Sequence, residues 1–272
     1  MSAEVQLPLK ERYGPWALIV GGSEGIGDHL ARQLGAAGIN VILVARKPAT
    51  LADTSRKIHD ATGAEVRTLQ LDIRRDDMLD RIREVTDGLE VGLLIHNVGG
   101  GQGFGPFVDC TLEEVMSAVM TNPVAITKLA HHFGKPMAER GRGGILMIGS
   151  LAGNAGCYFL ATYSAAKAFN QILMEALWAE FQPRGVDVLA FPIGAADTPS
   201  RARSGTVDAE EMPVARPQDV ARQALNELPR GPVYVAPENV DYFKSLCSMP
   251  RRQAAELQRD LLIRMLRAPS DA

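Results

Sequence analysis

Cysteine is scarce in this sequence. The three cysteines, Cys110, Cys157 and Cys247, are far apart, and no Cys-x-x-Cys pair occurs. Disulfide frameworks use an even number of cysteines, and zinc sites use closely spaced ones, so the spacing indicates neither. We expect a reducing compartment and no metal site.

The sequence also lacks long apolar runs. No stretch approaches the ~18 apolar residues typical of a membrane span, and residues 1–16 mix charged, apolar and proline residues without the apolar centre of a secretion signal. We therefore predict a cytoplasmic protein.

Neither sign of charge is in clear excess. The chain has 29 Lys and Arg against 32 Asp and Glu, which leaves a net charge of -3. Binding of a polyanion is favoured by a basic excess, so nucleic acid is not an expected partner. At 272 residues the chain is long enough to bury a substantial core.

What the sequence does contain is a regular alternation of strand and helix patterns. Apolar residues at helical spacing, such as Ile26, Leu30 and Leu34, separate the strand-like segments. Strands that alternate with helices predict a parallel sheet with helices on both faces. We expect one doubly wound α/β domain over residues 1–272. Its seven predicted strands are 16–20, 41–45, 66–71, 91–95, 145–148, 186–191 and 233–235.

A glycine-rich turn follows the first predicted strand. Glycines there permit a tight turn and let a pyrophosphate approach the backbone N–H groups at the start of a helix. The turn predicts dinucleotide binding, with an ordinary tight connection as the alternative. The residues concerned are Gly21, Ser23, Glu24, Gly25, Ile26 and Gly27.

Two cations, Arg46 and Lys47, follow the second predicted strand. An acidic residue at this point would accept hydrogen bonds from the adenosine ribose, whereas cations suit a 2′-phosphate. The pattern favours NADP(H) over NAD(H). The alternative is that both cations only face solvent at the loop.

Tyr163 and Lys167 are four positions apart, and Ser150 lies upstream of them. In a helix this spacing places the phenol and the ammonium side by side on one face. A nearby ammonium favours phenolate, so we expect Lys167 to lower the pKa of Tyr163 from its ordinary value of ~10.

Together these features resemble the classical, NADP(H)-preferring short-chain dehydrogenase/reductase family over about residues 16–235. The glycine turn matches the family's cofactor turn, and Ser150, Tyr163 and Lys167 match its catalytic residues. Asn122 falls at the asparagine of the helix after the fourth strand. Further matches to the family's cofactor site are Asp72, Ile73, Asn97, Val98, Gly99, Pro192, Gly194 and Thr198.

The resemblance implies a Rossmann-like fold and hydride transfer between NADP(H) and a secondary alcohol or ketone. Ser150 would stabilise the developing negative charge while Tyr163 delivers the proton, which suits their hydroxyl groups. In the family, Lys167 would also bind the nicotinamide ribose, and Asn122 would hold a water that links Lys167 to solvent. The valine at position 98 is similar to the branch of the family that contains hydroxysteroid and long-chain 3-oxoacyl thioester reductases, whereas most of the family has alanine there.

We therefore expect a relatively apolar carbonyl substrate. The alternatives are a 3-oxoacyl thioester reductase of the fatty-acid type and a non-catalytic dinucleotide-sensing protein. Cys157, Tyr158 and Phe159 lie between Ser150 and Tyr163 and are expected to line the pocket or to pack in their loop. Gly100, in a glycine run after the cofactor segment, is a further pocket candidate.

Two segments are candidates for covering the site. The polar segment 199–213 is predicted to be a mobile lid. The C-terminal helical extension 241–267 has an apolar face and several arginines, so it would cover the pocket, join an oligomer or, least favoured, lie on an anionic membrane. The helix that carries Tyr163 is apolar on nearly all sides, which predicts a homodimer or homotetramer.

Three histidines have other expected roles. His131 and His132 are predicted near the end of their helix, where a cation complements the last carbonyl groups, rather than at a metal. His96, at the end of a strand near the cofactor segment, has either a local hydrogen-bonding role or a functional one.

Overall fold

The computed structural model describes residues 9–99, 104–204 and 213–267. Within them, a six-stranded parallel sheet has the order β3-β2-β1-β4-β5-β6. The strands are β1 (Trp16–Val20), β2 (Asn40–Ala45), β3 (Val66–Gln70), β4 (Val91–His96), β5 (Gly143–Ser150) and β6 (Val186–Ile193). Successive strands are added to one side of β1 as far as β3 and to its other side from β4 onward. The loops after β1 and β4 therefore run in opposite directions, which opens a crevice between them.

Helices cover both faces of this sheet. They are α1 (Leu9–Tyr13), α2 (Gly25–Ala36), α3 (Pro48–Thr62), α4 (Met78–Thr86), α5 (Leu112–Val119), α6 (Ala125–Arg140), α7 (Ala161–Phe181), α8 (Pro199–Ser204), α9 (Pro217–Glu227), α10 (Val240–Ser248) and α11 (Arg251–Arg267). One core cluster joins α2, α3 and α9 to the sheet, and a second joins α4, α6 and α7. Alternate residues of β1 enter the two clusters, as expected of a strand buried on both faces.

The prediction of a seventh strand at 233–235 is wrong. This segment lies beside β6 through one parallel bridge, between Ala190 and Val233. Ala190 N–H donates to the Pro232 carbonyl at 2.8 Å, and Tyr234 N–H donates to the Ala190 carbonyl at 3.0 Å. Pro232 has no N–H to extend the ladder, and the chain enters a 3₁₀ turn at Pro237–Asn239. The other six predicted strands are confirmed, with bounds that shift by at most two residues.

His131 and His132 do not lie at a helix end. They sit in the middle of α6, which continues to Arg140 and ends at Gly141 in a left-handed conformation. The helix extends this far because Phe133 and Met137 continue its buried stripe. The described residues contain no group of His, Cys, Asp and Glu side chains that could hold a metal ion.

The C-terminal helices pack against the loop that follows β5. Ala254 of α11 and Leu246 of α10 form a small buried cluster with Ala155. The Arg251 guanidinium donates to the Asn154 carbonyl at 3.0 Å. These contacts hold α11 over the carboxyl edge of the sheet. Across the described ranges, no helix is long and apolar enough to cross a membrane.

Candidate active site

A cavity of about 810 Å³ lies at the carboxyl edge of the sheet. Its wall is built from the loops after all six strands, together with α10 and α11. The sequence-predicted residues found in this wall are Gly21, Ser23, Glu24, Gly25, Ile26, Arg46, Lys47, Asp72, Ile73, Asn97, Val98, Gly99, Asn122, Ser150, Cys157, Tyr163, Lys167, Gly194 and Thr198. The fold thus brings the predicted cofactor and catalytic residues to one cavity.

Two predicted cofactor residues, Gly27 and Pro192, lie behind the wall instead. Pro192 is buried within β6, in register with Gly149. A Cβ at Gly27 would lie 2.0 Å from the Gly21 carbonyl oxygen, so Gly27 allows α2 to pack closely against the turn. Both residues support the site without lining it. Gly100 lies outside the described residues.

Of the two alternatives for Tyr158 and Phe159, packing within their loop agrees with the structure, in which neither residue is part of the cavity wall. Their rings stack on each other with centroids 4.0 Å apart, and Tyr158 is 40% exposed. Phe159, at a φ of 60°, turns its ring edge-on to Phe104 at 5.9 Å. It is Phe104 that lines the cavity, together with Leu160 and Cys157.

The glycine turn and the end of β4 are tied together. Asn97 Nδ2 donates to the Gly21 carbonyl at 2.9 Å. Gly21 has a φ of 84°, and a Cβ there would lie 2.3 Å from the Asn97 carbonyl oxygen, so only glycine fits this close approach. Just beyond the turn, α2 begins at Gly25, and its first N–H groups lie at the cavity wall.

Charged side chains surround the glycine turn. Arg46 and Lys47 leave β2 and are exposed, and Lys47 Nζ lies 3.6 Å from Glu24 Oε2. Glu24 also pairs with Arg203 of α8. Burial favours the protonated acid, but Arg203 and Lys47 together hold the pKa of Glu24 below its ordinary value. The local balance of charge is positive, which suits a phosphate.

Asp72, at the end of β3, is paired with a cation that the sequence reasoning missed. Arg74 Nη2 lies 2.6 Å from Asp72 Oδ2, and this hydrogen bond lowers the pKa of Asp72. Both side chains line the cavity. Arg74 is two residues from Asp72 in sequence, so the signal was present in the local charge pattern.

Ser150, Tyr163 and Lys167 converge in the cavity wall. Ser150 is the last residue of β5, and the other two lie on one face of α7. Lys167 Nζ is 5.7 Å from the centre of the Tyr163 ring and donates to the Val98 carbonyl at 3.0 Å and to the Ile148 carbonyl at 3.4 Å. The Ser150 hydroxyl is near enough to the phenol to act on its pKa. A proton donor and a second hydroxyl are therefore directed at the same space.

The expected lowering of the Tyr163 pKa does not occur. Burial raises the pKa of Tyr163 above its ordinary value, and the nearby Ser150 hydroxyl only partly opposes this effect. Burial also lowers the pKa of Lys167 to about 8. The reason is that both groups are buried, so desolvation disfavours phenolate and ammonium alike. At neutral pH Tyr163 holds its proton and can donate it.

Asn122 lies in a π-helical turn, Met120–Val124, between α5 and α6. Its Nδ2 donates to the Ala118 carbonyl at 3.1 Å, and its Oδ1 accepts from Asn170 Nδ2 at 3.2 Å. Both asparagines are fully buried. Asn170 was not predicted, although it lies two helical turns after Tyr163 on the same face of α7.

His96 makes a local contact with the backbone. Its Nε2 lies 3.1 Å from the Thr121 carbonyl oxygen, next to the π-helical turn. Burial lowers the pKa of His96 to about 3, so the ring is neutral. The contact joins β4 to the segment that carries Asn122.

The two predicted covering segments differ in how far the structure describes them. Residues 199–204 form α8, and Thr198 packs against Gly25, while 205–212 lie outside the described residues. The C-terminal extension does line the cavity. The residues that it contributes are Tyr242, Gln258, Leu261 and Leu262. No local pattern identified them, because α11 reaches the cavity only through its packing on the loop after β5.

Comparison with known proteins gives consistent matches. A family model described as short chain dehydrogenase matches residues 15–208. The 7beta-hydroxysteroid dehydrogenase of Clostridium sardiniense is 33% identical over 233 residues, which are 85% of this chain and 88% of that protein. The very-long-chain 3-oxoacyl-CoA reductase of Neurospora crassa is 37% identical over 179 residues, 64% of this chain and 54% of that protein.

Two solved structures show the same architecture. One, from a study of 7beta-hydroxysteroid dehydrogenase stereoselectivity, superposes with a TM-score of 0.85 at 25% identity and covers 92% of this chain and 98% of its own. The other, a short-chain dehydrogenase from Sphingobium yanoikuyae in complex with NADPH, has a TM-score of 0.75 at 30% identity and covers 90% of this chain and all of its own.

Proposed function

This chain belongs to the short-chain dehydrogenase family, and from that membership we propose that it transfers a hydride between NADP(H) and a relatively apolar ketone or secondary alcohol. The observation that carries the proposal is the convergence of Ser150, Tyr163 and Lys167 in one cavity wall with the glycine turn. Oxidoreduction of hydroxyl and carbonyl groups is the family's chemistry.

The side chains suit the reduction of a carbonyl group. The Ser150 hydroxyl would donate a hydrogen bond to the oxygen as negative charge develops on it, and Tyr163 would transfer its proton to that oxygen. Lys167 would keep positive charge beside the phenol after the proton has left. In the oxidative direction Tyr163 would act as the base. Asn122, held by Asn170, would position a water next to Lys167.

The residues present fit a nicotinamide dinucleotide, which would supply or accept the hydride. Gly21, Gly25 and Ser23 would surround the pyrophosphate, and Asp72 and Ile73 would lie at the adenine. Asn97, Val98 and Gly99 would border the nicotinamide side, with Gly194 and Thr198. The close approach that Gly21 permits is the feature that a phosphate-binding turn requires.

NADP(H) is favoured over NAD(H) because Arg46 and Lys47 occupy the positions that would meet the adenosine ribose. A guanidinium can bind a phosphate through two hydrogen bonds, and no acidic residue follows β2 at this point to accept from the ribose hydroxyls. The NADPH complex of the Sphingobium yanoikuyae relative supports the same choice.

An apolar substrate is favoured by the apolar residues in the cavity wall. Phe104, Cys157, Leu160, Leu261 and Leu262 are apolar residues that line the cavity. The relatives named as hydroxysteroid dehydrogenase and as very-long-chain 3-oxoacyl-CoA reductase are consistent with it. The valine at position 98 is similar to the branch of the family that contains these reductases. A 3-oxoacyl thioester is therefore the second candidate substrate.

The decisive experiment is NADPH oxidation with a carbonyl panel that includes a steroid ketone, a 3-oxoacyl thioester and a bicyclic ketone. Turnover of at least one member, lost in Tyr163→Phe, supports the proposal. The proposal fails if neither NADPH nor NADH is oxidised with any member while the folded protein still binds one of them. A protein that binds without turnover would instead be a dinucleotide sensor.

We propose further that a second copy of this chain covers an exposed apolar face. Leu112 and Met116 of α5 and Phe169 and Ile172 of α7 are exposed large apolar side chains on two helices that pack together. Exposed apolar patches of this kind are typical of interfaces. A homodimer or homotetramer in the cytoplasm, each chain a single catalytic domain, is the expected form. Light scattering of Ile172→Glu against the unaltered protein tests the interface.

A further inference from the structure

Arg74, a cation that follows β3, lies in the cavity wall, and the proposed reaction does not use it. Its Nε donates to Asp72 Oδ1 at 3.0 Å, and its Nη2 donates to Asp72 Oδ2 at 2.6 Å. Its Nη1 donates to Ser117 Oγ of α5 at 3.3 Å. All three guanidinium nitrogens thus donate to neighbouring side chains, and these bonds fix the plane of the group between the loop after β3 and α5.

The flat face of this guanidinium is what it can offer to a ligand. Hydrogen bonds of a guanidinium lie in the plane of the group and use its edges. The side chain is nevertheless 29% exposed and lines the cavity, so a ligand can reach it. A guanidinium held in this way can stack on an aromatic ring while it keeps its hydrogen bonds. Because its plane is already fixed, little entropy is lost when the ring binds.

The charge of Arg74 suits an uncharged ring better than a phosphate. Asp72 lies against the guanidinium, and both oxygens of its carboxylate accept from it. The carboxylate offsets the positive charge and would itself repel a phosphate. An aromatic ring meets no such repulsion, so this pair favours the base of a nucleotide over its phosphate groups.

The loop after β3 lies beside the loop after β2, where the adenosine ribose is expected. Leu71 N–H donates to the Ala45 carbonyl at 3.0 Å, and Gln70 Nε2 donates to the Arg46 carbonyl at 3.4 Å. Arg46 is the residue expected at the 2′-phosphate of that ribose. A base attached to the same ribose would therefore lie next to the loop that carries Arg74.

We propose that the guanidinium of Arg74 stacks on the adenine ring of the coenzyme and thereby determines how tightly the adenine half is bound. Asp72 and Ser117 hold the guanidinium in the orientation that stacking requires. The inference rests on the proposed function, which supplies the dinucleotide and its direction in the cavity. It gives the adenine ring a partner that neither the glycine turn nor Arg46 provides.

The test compares the dissociation constants of three coenzymes, measured by calorimetry with the full-length protein. These are NADP⁺, NAD⁺ and the analogue of NADP⁺ in which hypoxanthine replaces adenine. Arg74→Leu is expected to weaken binding of all three by about two- to tenfold, because each carries a purine ring that can stack. A bond to the adenine amino group would instead spare the hypoxanthine analogue, and a bond to the 2′-phosphate would spare NAD⁺.

Arg74→Lys separates stacking from charge. The new side chain keeps a positive charge beside Asp72 but has no flat guanidinium, so binding of all three coenzymes should again weaken, by at least about twofold. This variant also serves if Arg74→Leu does not fold.

Arg75→Leu is the matched control. Arg75 is the next residue in the chain and pairs with Asp77 through the same two nitrogens, Nε and Nη2, each at 2.7 Å. It is exposed and does not line the cavity. Its replacement should leave the three dissociation constants unchanged.

The inference is overturned if Arg74→Leu or Arg74→Lys binds the three coenzymes as the unaltered protein does, if NAD⁺ or the hypoxanthine analogue is spared, or if Arg75→Leu weakens binding as much. NADPH oxidation with the carbonyl panel is measured in parallel on the unaltered protein. Binding without turnover counts against the proposed reaction alone, whereas the comparison of dissociation constants decides the role of Arg74. If the unaltered protein binds none of the three coenzymes, both proposals fail.

Discussion

The Nζ atom of Lys167 lies 3.0 Å from the Val98 carbonyl oxygen, so a buried ammonium joins α7 to the end of β4. A second carbonyl, that of Ile148 in β5, lies 3.4 Å from the same nitrogen. These two acceptors compensate part of the cost of burying the cation. They also fix the position of Lys167 relative to Tyr163, which lies one turn earlier in the same helix.

Tyr163→Phe removes the proton donor and little else. We expect kcat for ketone reduction to fall by at least about 100-fold, because general acid catalysis contributes on that scale. The dissociation constant for NADPH should stay within about twofold of the original, since the phenyl ring keeps the packing. Steady-state kinetics and a fluorescence titration of NADPH measure the two quantities. Retention of more than a tenth of kcat would show that another group donates the proton.

Reduction should lose rate as the pH rises through about 8. Burial lowers the pKa of Lys167 from 10.5 to about 8, so the ammonium is present below that pH and is lost above it. The pKa of Tyr163 is raised, so the phenol keeps its proton over the same range. The pH profile of kcat/KM for a ketone should therefore show a single downward inflection near 8. A profile that stays flat to two pH units above that point would show that reduction does not depend on the Lys167 ammonium.

Gly99→Ala should displace Asn122 and Lys167. Gly99 has a φ of 121°, and a Cβ there would lie 2.7 Å from Asn122 Oδ1 and 2.8 Å from Lys167 Nζ. We expect a loss of about 1–3 kcal/mol in the free energy of unfolding from backbone strain, together with reduced kcat. Gly156→Ala is the control, because nothing lies within 4 Å of its added Cβ and its φ is ordinary. Equal effects of the two changes in denaturant titrations and kinetics would refute the steric argument.

Arg46→Ala should change coenzyme preference. If the guanidinium binds the 2′-phosphate, KM for NADPH should rise about tenfold, the equivalent of one charge-assisted hydrogen bond, while KM for NADH should barely change. Arg56→Ala removes another exposed cation that does not line the cavity, and it should leave both values unchanged. Parallel losses with both coenzymes would indicate that Arg46 does not recognise the phosphate.

Tyr13→Phe should lower stability without changing activity. Tyr13 is fully buried, and its hydroxyl donates to Asp187 Oδ2 at 2.7 Å at the start of β6, away from the cavity. A hydrogen bond to a charged group contributes about 1.5–3 kcal/mol, so the midpoint of urea unfolding should fall accordingly. Tyr158→Phe, at an exposed ring, should leave the midpoint unchanged. An unaltered midpoint for Tyr13→Phe would mean that Arg12 alone satisfies the carboxylate.

Local patterns predicted most of the sheet and of the cofactor side of the cavity. Most of the strands are mainly apolar, and the glycine turn and the Tyr163–Lys167 spacing depend only on neighbours in sequence. The prediction of a strand at 233–235 was wrong because pairing with a neighbouring strand does not depend on the local pattern alone. Its apolar residues resemble a strand, but pairing with β6 stops after one bridge because of the prolines on either side of it.

The sequence by itself determined the alternation of strands and helices, the phosphate-binding turn and the spacing of the phenol and the ammonium. These are short-range properties, decided by side-chain periodicity and backbone sterics. Only the tertiary structure decided the direction of the Tyr163 pKa shift, the stacking of Tyr158 on Phe159, and the presence of Gln258 in the cavity wall. Burial and contacts between distant segments set each of these, and neither can be read from neighbouring residues alone.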